Sequence, residues 1–360
     1  RVAAHMPAGL KRMFFANSGS EANETILKLI RAFWRGKGAE GAGRRKIISR
    51  MKAYHGSSMA TTALNGRTDM TEPFGLDTSD IVLVEEPFWY RNGGKLTPAE
   101  YGIKAARAIE EVIVREGADT VAAIFIEPIQ GTGGAIVPPE TYAGELMRIK
   151  EKYGVLLVAD EVLTGMGRTG YWTASEAMGL DPDFISLAKG LSSGYAPIAA
   201  AVVHDRVMAV LDDTLGTMQH GYTTSGHPVS CRLALKSLEI LETEKLVERI
   251  RGQIGPYFAS RLSEMAGHAL VGEVRCMGLL AGIEIAKDKA SRTQFAIEEH
   301  VDERIGQAAL MNGLIVRPTG NTIVVCPPFV ISHAEIDYLI QALSAALDTV
   351  AEQLRSEGKL

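Results

Sequence analysis

Four short stretches carry residue types from which an active site can be built. Phe184-Ile185-Ser186-Leu187-Ala188 reads as a buried strand and ends on Lys189, which runs into Gly190, Ser192, Ser193 and Gly194. An ammonium there is costly to desolvate unless it is neutral, paired or covalently engaged. A lysine held in a desolvated site has a lowered amine pKa and becomes a nucleophile able to form a Schiff base. The plainer reading is a surface lysine whose stem snorkels along the protein. In VLLVADEVLTG, residues 155–165, Asp160 and Glu161 follow an apolar run and so stand at the C-terminal end of a central strand. Ligands of open α/β sheets gather at that end, although an ion pair within the protein would also account for the acid.

The other two stretches suit a phosphate and a flat ring. In NSGSEANET, residues 17–25, Ser18 and Glu21 have capping-box spacing, Gly19 permits a tight turn and Ser20 adds a hydroxyl. A helix start of this kind offers free N–H groups and a positive dipole end to an anion, and it is equally compatible with a plain capped helix. In YHGSS, residues 54–58, Tyr54 and His55 are ring faces for stacking and Gly56 allows close approach; ordinary core packing is the alternative. Each signal is weak alone. Together they match pyridoxal 5'-phosphate, which has a phosphate, an aromatic ring, a ring nitrogen that gains from a facing carboxylate, and an aldehyde that needs an amine.

Such residues must be delivered by a sheet. Continuous apolar runs at 45–49, 80–86, 120–128, 155–162, 184–190 and 197–204 read as strands covered on both faces. Between several of them lie helical patterns: Ile26, Leu29, Ile30 and Phe33 share one face, residues 98–117 open on Pro98, and residues 138–154 close on Gly154. The alternation predicts an α/β domain with a mostly parallel sheet. Beyond residue 228 the pattern changes to a long helical stretch over 230–254. Short strands at 279–286 and 322–328 follow, with a helix around 295–312 between them. A last helix begins with the capping-box spacing of Ser332 and Glu335. We expect a large domain over 1–245 and a smaller α+β domain over 246–360.

The bulk composition excludes several classes. The chain has 360 residues, a net charge of −5 and scattered basic residues, so neither nucleic acid nor an anionic membrane is an expected partner. No apolar run approaches the roughly 20 residues of a spanning helix. Cys231, Cys276 and Cys326 are far apart and odd in number, which suits reduced thiols and a cytoplasmic setting. No histidine pair has zinc-ligand spacing, so no metal is expected. The chain begins at Arg1 rather than Met, and we expect its natural start to be missing.

At these same residues the sequence resembles the class III aminotransferases, pyridoxal-phosphate enzymes of fold type I, and most closely their omega-amino acid or amine–pyruvate branch. NSGSEANET, YHGSS, EPIQGTGG, ADEVLTGMGRTG, AKGLSSGYAPIAA and HGYTTSGHP match the family's motifs in order, and GLIVRPTGNTIVVCPPF resembles its small domain. The resemblance implies that Lys189 holds the cofactor and shuttles the proton, and that Asp160 pairs with the ring nitrogen. Val162 and Tyr54 would flank the ring, with His55 and Glu127 beside it. Gly19 and Ser20, with Ser18 adjacent, would hold the phosphate. Thr223 would reach the phosphate of a neighbouring subunit, making the active unit a homodimer, with a tetramer also open. Arg317 would receive substrate carboxylates, and Arg168 would be structural. The implied activity moves an amino group from an amine or omega-amino acid to a keto acid, with pyruvate expected, in a ping-pong sequence. Leu163 stands where many glutamate-linked relatives carry glutamine, and it favours the amine–pyruvate branch. By the same resemblance, the N-terminal segment usual in the family, which helps wall the substrate pocket, is expected to be missing from this sequence. An aminomutase or a decarboxylase on the same scaffold, or a non-catalytic ligand-binding protein, are the competing readings.

Overall fold

A computed structural model describes residues 1–360. Its larger sheet comprises β1 (Leu10–Ala16), β2 (Lys46–Arg50), β3 (Ile81–Val84), β4 (Val121–Ile126), β5 (Leu156–Asp160), β6 (Phe184–Leu187) and β7 (Ala199–His204), in the order β1-β7-β6-β5-β4-β2-β3. The strands from β3 to β6 are parallel; β7 runs antiparallel to β6, and β1 antiparallel to β7. Two reversals leave β1 pointing the same way as β6. The C-terminal ends of six strands therefore meet along one edge, and that edge collects the chemistry.

Burial follows the pleat. Ile48, Ile124, Ile126 and Leu157 face one layer of helices, α2 (Pro98–Glu116) and α3 (Thr141–Tyr153), through Ile109, Ile113, Leu146 and Ile149. Ile47, Phe125, Val158 and Phe184 face the other layer. There α1 (Gly19–Gly36) and α4 (Asp205–Leu215) supply Ile26, Ile30, Phe33 and Leu211. Each such wholly buried large side chain contributes about 1.5–3 kcal/mol relative to exposure. A sheet covered on both faces is why the strands read as unbroken apolar runs.

Strand β1 escapes sequence reading. Its run LKRMFFA carries two exposed cations, and it is an edge strand set by pairing with β7 rather than by its own pattern. The long helical stretch predicted over 230–254 is broken as well. Helix α5 (Pro228–Thr243) stops before Lys245, which has φ +50°, and a π-helical turn spans Ile250–Ile254 before α6 (Gly255–Ser263). The break redirects the chain, since Leu238 packs beneath the large sheet whereas Ile250 and Ile254 belong to a second core.

That second core surrounds an antiparallel sheet of β8 (Val271–Met277), β9 (Leu280–Ile285), β10 (Arg317–Pro318) and β11 (Thr322–Val325), ordered β10-β11-β9-β8. Helices α7 (Val301–Met311) and α8 (His333–Ser356) cover it. Helix α8 opens as expected: Ser332 Oγ accepts from Glu335 N at 3.2 Å, and Glu335 Oε2 accepts from Ser332 N at 2.7 Å. No helix is long and apolar enough to cross a membrane.

Candidate active site

The register of β5 and β6 sets the site. Asp160, the last residue of β5, is opposite Ser186 in β6, three residues before Lys189. Glu127 follows β4 and Tyr54 follows β2 on the same edge, while β1 hands the chain to Ser18, Gly19 and Ser20. A cavity of about 320 Å³ opens there, at the lower end of the roughly 300–1,000 Å³ usual for small-molecule sites. Its wall includes Ser18, Gly19, Ser20, Tyr54 and His55 from the N-terminal half. Glu127, Asp160, Val162 and Lys189 complete the predicted set around it. Thr223 and Arg317 are not part of this wall; both are exposed elsewhere on the chain.

Asp160 is the most constrained group. Only 4% exposed, it accepts four hydrogen bonds: His55 Nδ1 at 2.8 Å and Asn23 Nδ2 at 2.9 Å on Oδ2, Val162 N–H and Ser186 Oγ, each at 3.1 Å, on Oδ1. Burial pushes its carboxyl up, but the bond and charge of His55, then Asn23 and the Val162 N–H, outweigh it, leaving Asp160 below the ordinary aspartate value. The group stays ionised without a neighbouring arginine or lysine.

His55 corrects one expectation. Its side chain is wholly buried and edge-on to Phe125, with ring centroids 4.7 Å apart, so it offers no open stacking face. It holds Asp160 instead. Asn23, which sequence reasoning missed, does the same and also donates to the His55 carbonyl at 2.7 Å. A signal existed: Asn23 lies on the buried face of α1 with Ile26 and Ile30, where a polar side chain needs a partner. Asn23 Oδ1 and His55 Nε2 are buried beside the cavity with no protein partner.

Glu127 behaves oppositely to Asp160. Its oxygens accept from Tyr54 N–H at 3.1 Å and Gly131 N–H at 2.9 Å. Burial pushes its carboxyl above the ordinary glutamate value and the Asp160 charge adds to the rise, against the pull of His55 and the two N–H groups. Glu161, the other acid at the strand end, is structural. It accepts from Ala174 N–H at 2.9 Å, from both Ser175 N–H and Ser175 Oγ at 2.6 Å, and from Thr164 Oγ1 at 2.5 Å, fixing the short helix Ala174–Met178.

At the helix end, Ser18 Oγ accepts from Glu21 N–H at 3.2 Å. The reciprocal half of the expected box is absent, because Glu21 Oε2 takes Asn17 N and Nδ2 at 2.7 and 2.8 Å instead. The N–H groups of Gly19 and Ser20, the first of α1, have no acceptor in the protein. A Cβ at Gly19 would stand 3.0 Å from a Val162 methyl, and one at Gly56 (φ +142°) 2.6 Å from Ser20 Oγ. Glycine is required at Gly56 by close approach and backbone conformation, whereas at Gly19 an added methyl would press on Val162.

Lys189 departs from the desolvated state expected of it. It is exposed into the cavity mouth, its Nζ has no hydrogen-bond partner in the protein, and its φ is +33°. A lysine in the left-handed region costs on the order of 1–3 kcal/mol, which the surrounding fold must impose. Arg168 is structural, as expected, donating to Leu279 O at 3.0 Å and Pro327 O at 2.6 Å.

This geometry agrees with comparison to known proteins, in which the aminotransferase class-III family model matches residues 1–347. The chain belongs to the class-III aminotransferases. It is 41% identical, over 97% of its length and 76% of the relative's, to putrescine–pyruvate aminotransferase of Pseudomonas aeruginosa. It is 37% identical, over 98% of its length and 76% of the relative's, to diaminobutyrate–2-oxoglutarate transaminase of Halomonas elongata. A thermostable (S)-enantioselective omega-transaminase from Thermomicrobium roseum superposes with a TM-score of 0.92 at 39% identity, covering 97% of this chain and 77% of that one. The fold is thus fold type I and the enzyme is an aminotransferase. The family works with pyridoxal 5'-phosphate, and the residues present fit it. The free N–H groups of Gly19 and Ser20 suit a phosphate. The ionised Asp160 suits a protonated ring nitrogen, and the unpartnered Lys189 Nζ suits an aldehyde.

Proposed function

We propose that this cavity transfers an amino group from an amine or omega-amino acid to a keto acid, with pyruvate as the preferred acceptor. The observation that carries the proposal is a carboxylate held ionised by four donors and a partner-free lysine on one cavity wall. Pyridoxal phosphate, when bound, supplies an electron-accepting ring and a carbonyl that takes up and returns the amino group.

The chain's own residues do the rest. Gly19 and Ser20 N–H groups, with the hydroxyls of Ser18 and Ser20, bind the phosphate and orient the ring. Val162 and Tyr54 flank it, and His55 acts through Asp160. Asp160 keeps the ring nitrogen protonated, which requires a carboxylate that stays charged in a dry site. Lys189 Nζ is the proton carrier: it would take the proton from the donor's carbon and deliver it, from the same side, to the carbon of the cofactor's carbonyl group, and the second half-reaction would run the transfer in reverse. A group with that task must be free to move, which suits its lack of partners. Because the amino group would stay with the enzyme between release of the first product and binding of the acceptor, ping-pong kinetics are expected.

Leu163 on the cavity wall supports pyruvate over a larger acidic acceptor, since it offers no polar contact. Arg317, exposed on β10, would receive the acceptor's carboxylate after moving toward the cavity; its planar fork suits that bond. Thr223, exposed and outside its own cavity, would complete the phosphate site of a second copy in a homodimer. The division into 1–245 and 246–360 is supported by the separate buried clusters on either side of Lys245. A panel of amines and omega-amino acids, assayed for alanine formation with pyruvate and for glutamate formation with 2-oxoglutarate, tests the assignment. Alanine should dominate; formation of neither amino acid from any donor would end it.

A further inference from the structure

Glu284 on β9 is wholly buried, and four side chains share its two oxygens. Oε1 accepts from Arg91 Nε and Gln294 Nε2, both at 2.6 Å; Oε2 accepts from Thr322 Oγ1 at 2.8 Å and Arg275 Nη2 at 3.2 Å. Arg91 comes from the short helix Trp89–Asn92 beside the large sheet, whereas Arg275 lies on β8. Glu273 Oε2, 2.9 Å from Arg275 Nη1, supplies a second anion, so two cations face two anions. A buried network of this kind adds little net stability over an apolar core, but it admits one geometry.

The remaining donors of Arg275 leave the small sheet. Its Nη2 reaches Gly134 O at 2.6 Å, and its Nε is shared between Gly134 O and Ala135 O, each at 3.1 Å. Gly282 on β9 lacks a side chain where a Cβ would stand 2.5 Å from the Gly134 oxygen. Thr319 Oγ1 makes a second tie, donating to Thr132 O at 3.1 Å. Both grip the turn between Gln130 and Ile136, which is closed by their mutual bonds of 3.2 and 2.9 Å. Ala135 holds φ +50° without glycine's freedom, so the turn's shape is imposed from outside. This turn enters the active site twice: Thr132 lines the cavity, and Gly131 N–H holds Glu127 Oε2 at 2.9 Å.

We propose that Arg275, anchored by Glu284 and Glu273, is a positioning residue of the active site. It sets the turn 130–136 and thereby the places of Thr132 and the Glu127 carboxylate, so the small unit shapes one wall of a cavity built on the large sheet. The proposal rests on the reading of that cavity as the site of transamination.

The test uses the cofactor-loaded enzyme and three variants. Arg275→Lys keeps the charge and loses the fork, Thr319→Val removes the second tie without touching a charge, and Ile283→Val loosens the same small sheet away from the turn. In Arg275→Lys, amide hydrogen exchange over 128–137 should quicken about tenfold and the donor's KM rise about tenfold, with kcat within roughly threefold. Thr319→Val should show the same pattern at about a third of the size, and Thr319→Ser should restore parent behaviour. Ile283→Val should leave both readouts at parent values. Unchanged exchange over 128–137 in Arg275→Lys and Thr319→Val would overturn the proposal, as would an Ile283→Val variant that reproduces their KM. The exchange measurement stands apart from turnover, so a parent inactive toward every donor sinks the functional reading and leaves the positioning role decided by exchange.

Discussion

The two poles of the cavity are built on opposite terms. At Asp160 four donors hold the carboxylate, burial is almost complete and the supporting groups come from three other elements. At Lys189, a few residues from the paired strand, the side chain is exposed and unbonded, and the backbone is held at φ +33°. The difference teaches that one pole supplies a standing field and the other a moving part. A field that must not reorganise needs a satisfied, water-free network. A group that alternately binds and carries a proton would be slowed by any fixed partner.

The sharpest way to break the comparison is at the moving pole. Lys189→Ala should lower kcat by more than about a thousandfold and remove the visible absorbance due to its link with the cofactor. Because the side chain is exposed, the melting temperature should stay near the parent's; turnover at the parent rate would remove Lys189 from the mechanism.

Asp160→Asn attacks the standing field. An amide cannot accept from His55, Asn23, Val162 and Ser186 at once, so kcat should fall roughly 10²–10³-fold, with a loss of about 1–3 kcal/mol of stability from donors left unpaired. The pH dependence has a definite sign. A depressed carboxyl stabilises the fold fully above its unfolded value of about 3.9, and that contribution is lost as pH falls further, through the folded value. The parent should therefore lose stability below about pH 4 more steeply than Asp160→Asn in acid-induced unfolding followed by circular dichroism. Parallel curves would show that the network does not hold the charge.

Smaller effects sharpen the picture at the edges. Arg317→Ala should raise the KM of pyruvate about tenfold while leaving simple amines within roughly twofold; equal losses would remove it from the acceptor site. Gly19→Ala brings a Cβ to 3.0 and 3.2 Å from the Val162 methyls. It should weaken cofactor affinity a few-fold in equilibrium titration, with little change in kcat once saturated.

Much of this was legible in the linear chain, and the exceptions have physical causes. The strands carrying Asp160 and Lys189 are covered on both faces, so their apolar runs and the polar residues that end them stand out. Strand β1 is legible only through its partner β7, because an edge strand with exposed Lys11 and Arg12 has no pattern of its own. In the sequence His55 reads as a stacking ring or as ordinary core packing, and only the placement of Asp160, Asn23 and Phe125 around it makes it a partner of Asp160. The turn 130–136 gives no sign of being held at Thr132 by Thr319 and at Gly134 by Arg275, since contacts so distant in sequence leave no local period.

The order of residue types along this chain determined by itself the strand ends, the helix start at Ser18 and the set of groups suited to pyridoxal phosphate, because each depends on neighbours within a few positions. Tertiary structure alone decided that Asp160 would be held charged by His55 and Asn23 with no arginine or lysine beside it, that Lys189 would stand free, and that the small sheet would grip the turn beside Glu127. Those outcomes depend on which donors and carbonyls arrive from remote segments, and hydrogen bonds between such segments exist only once both sheets have formed.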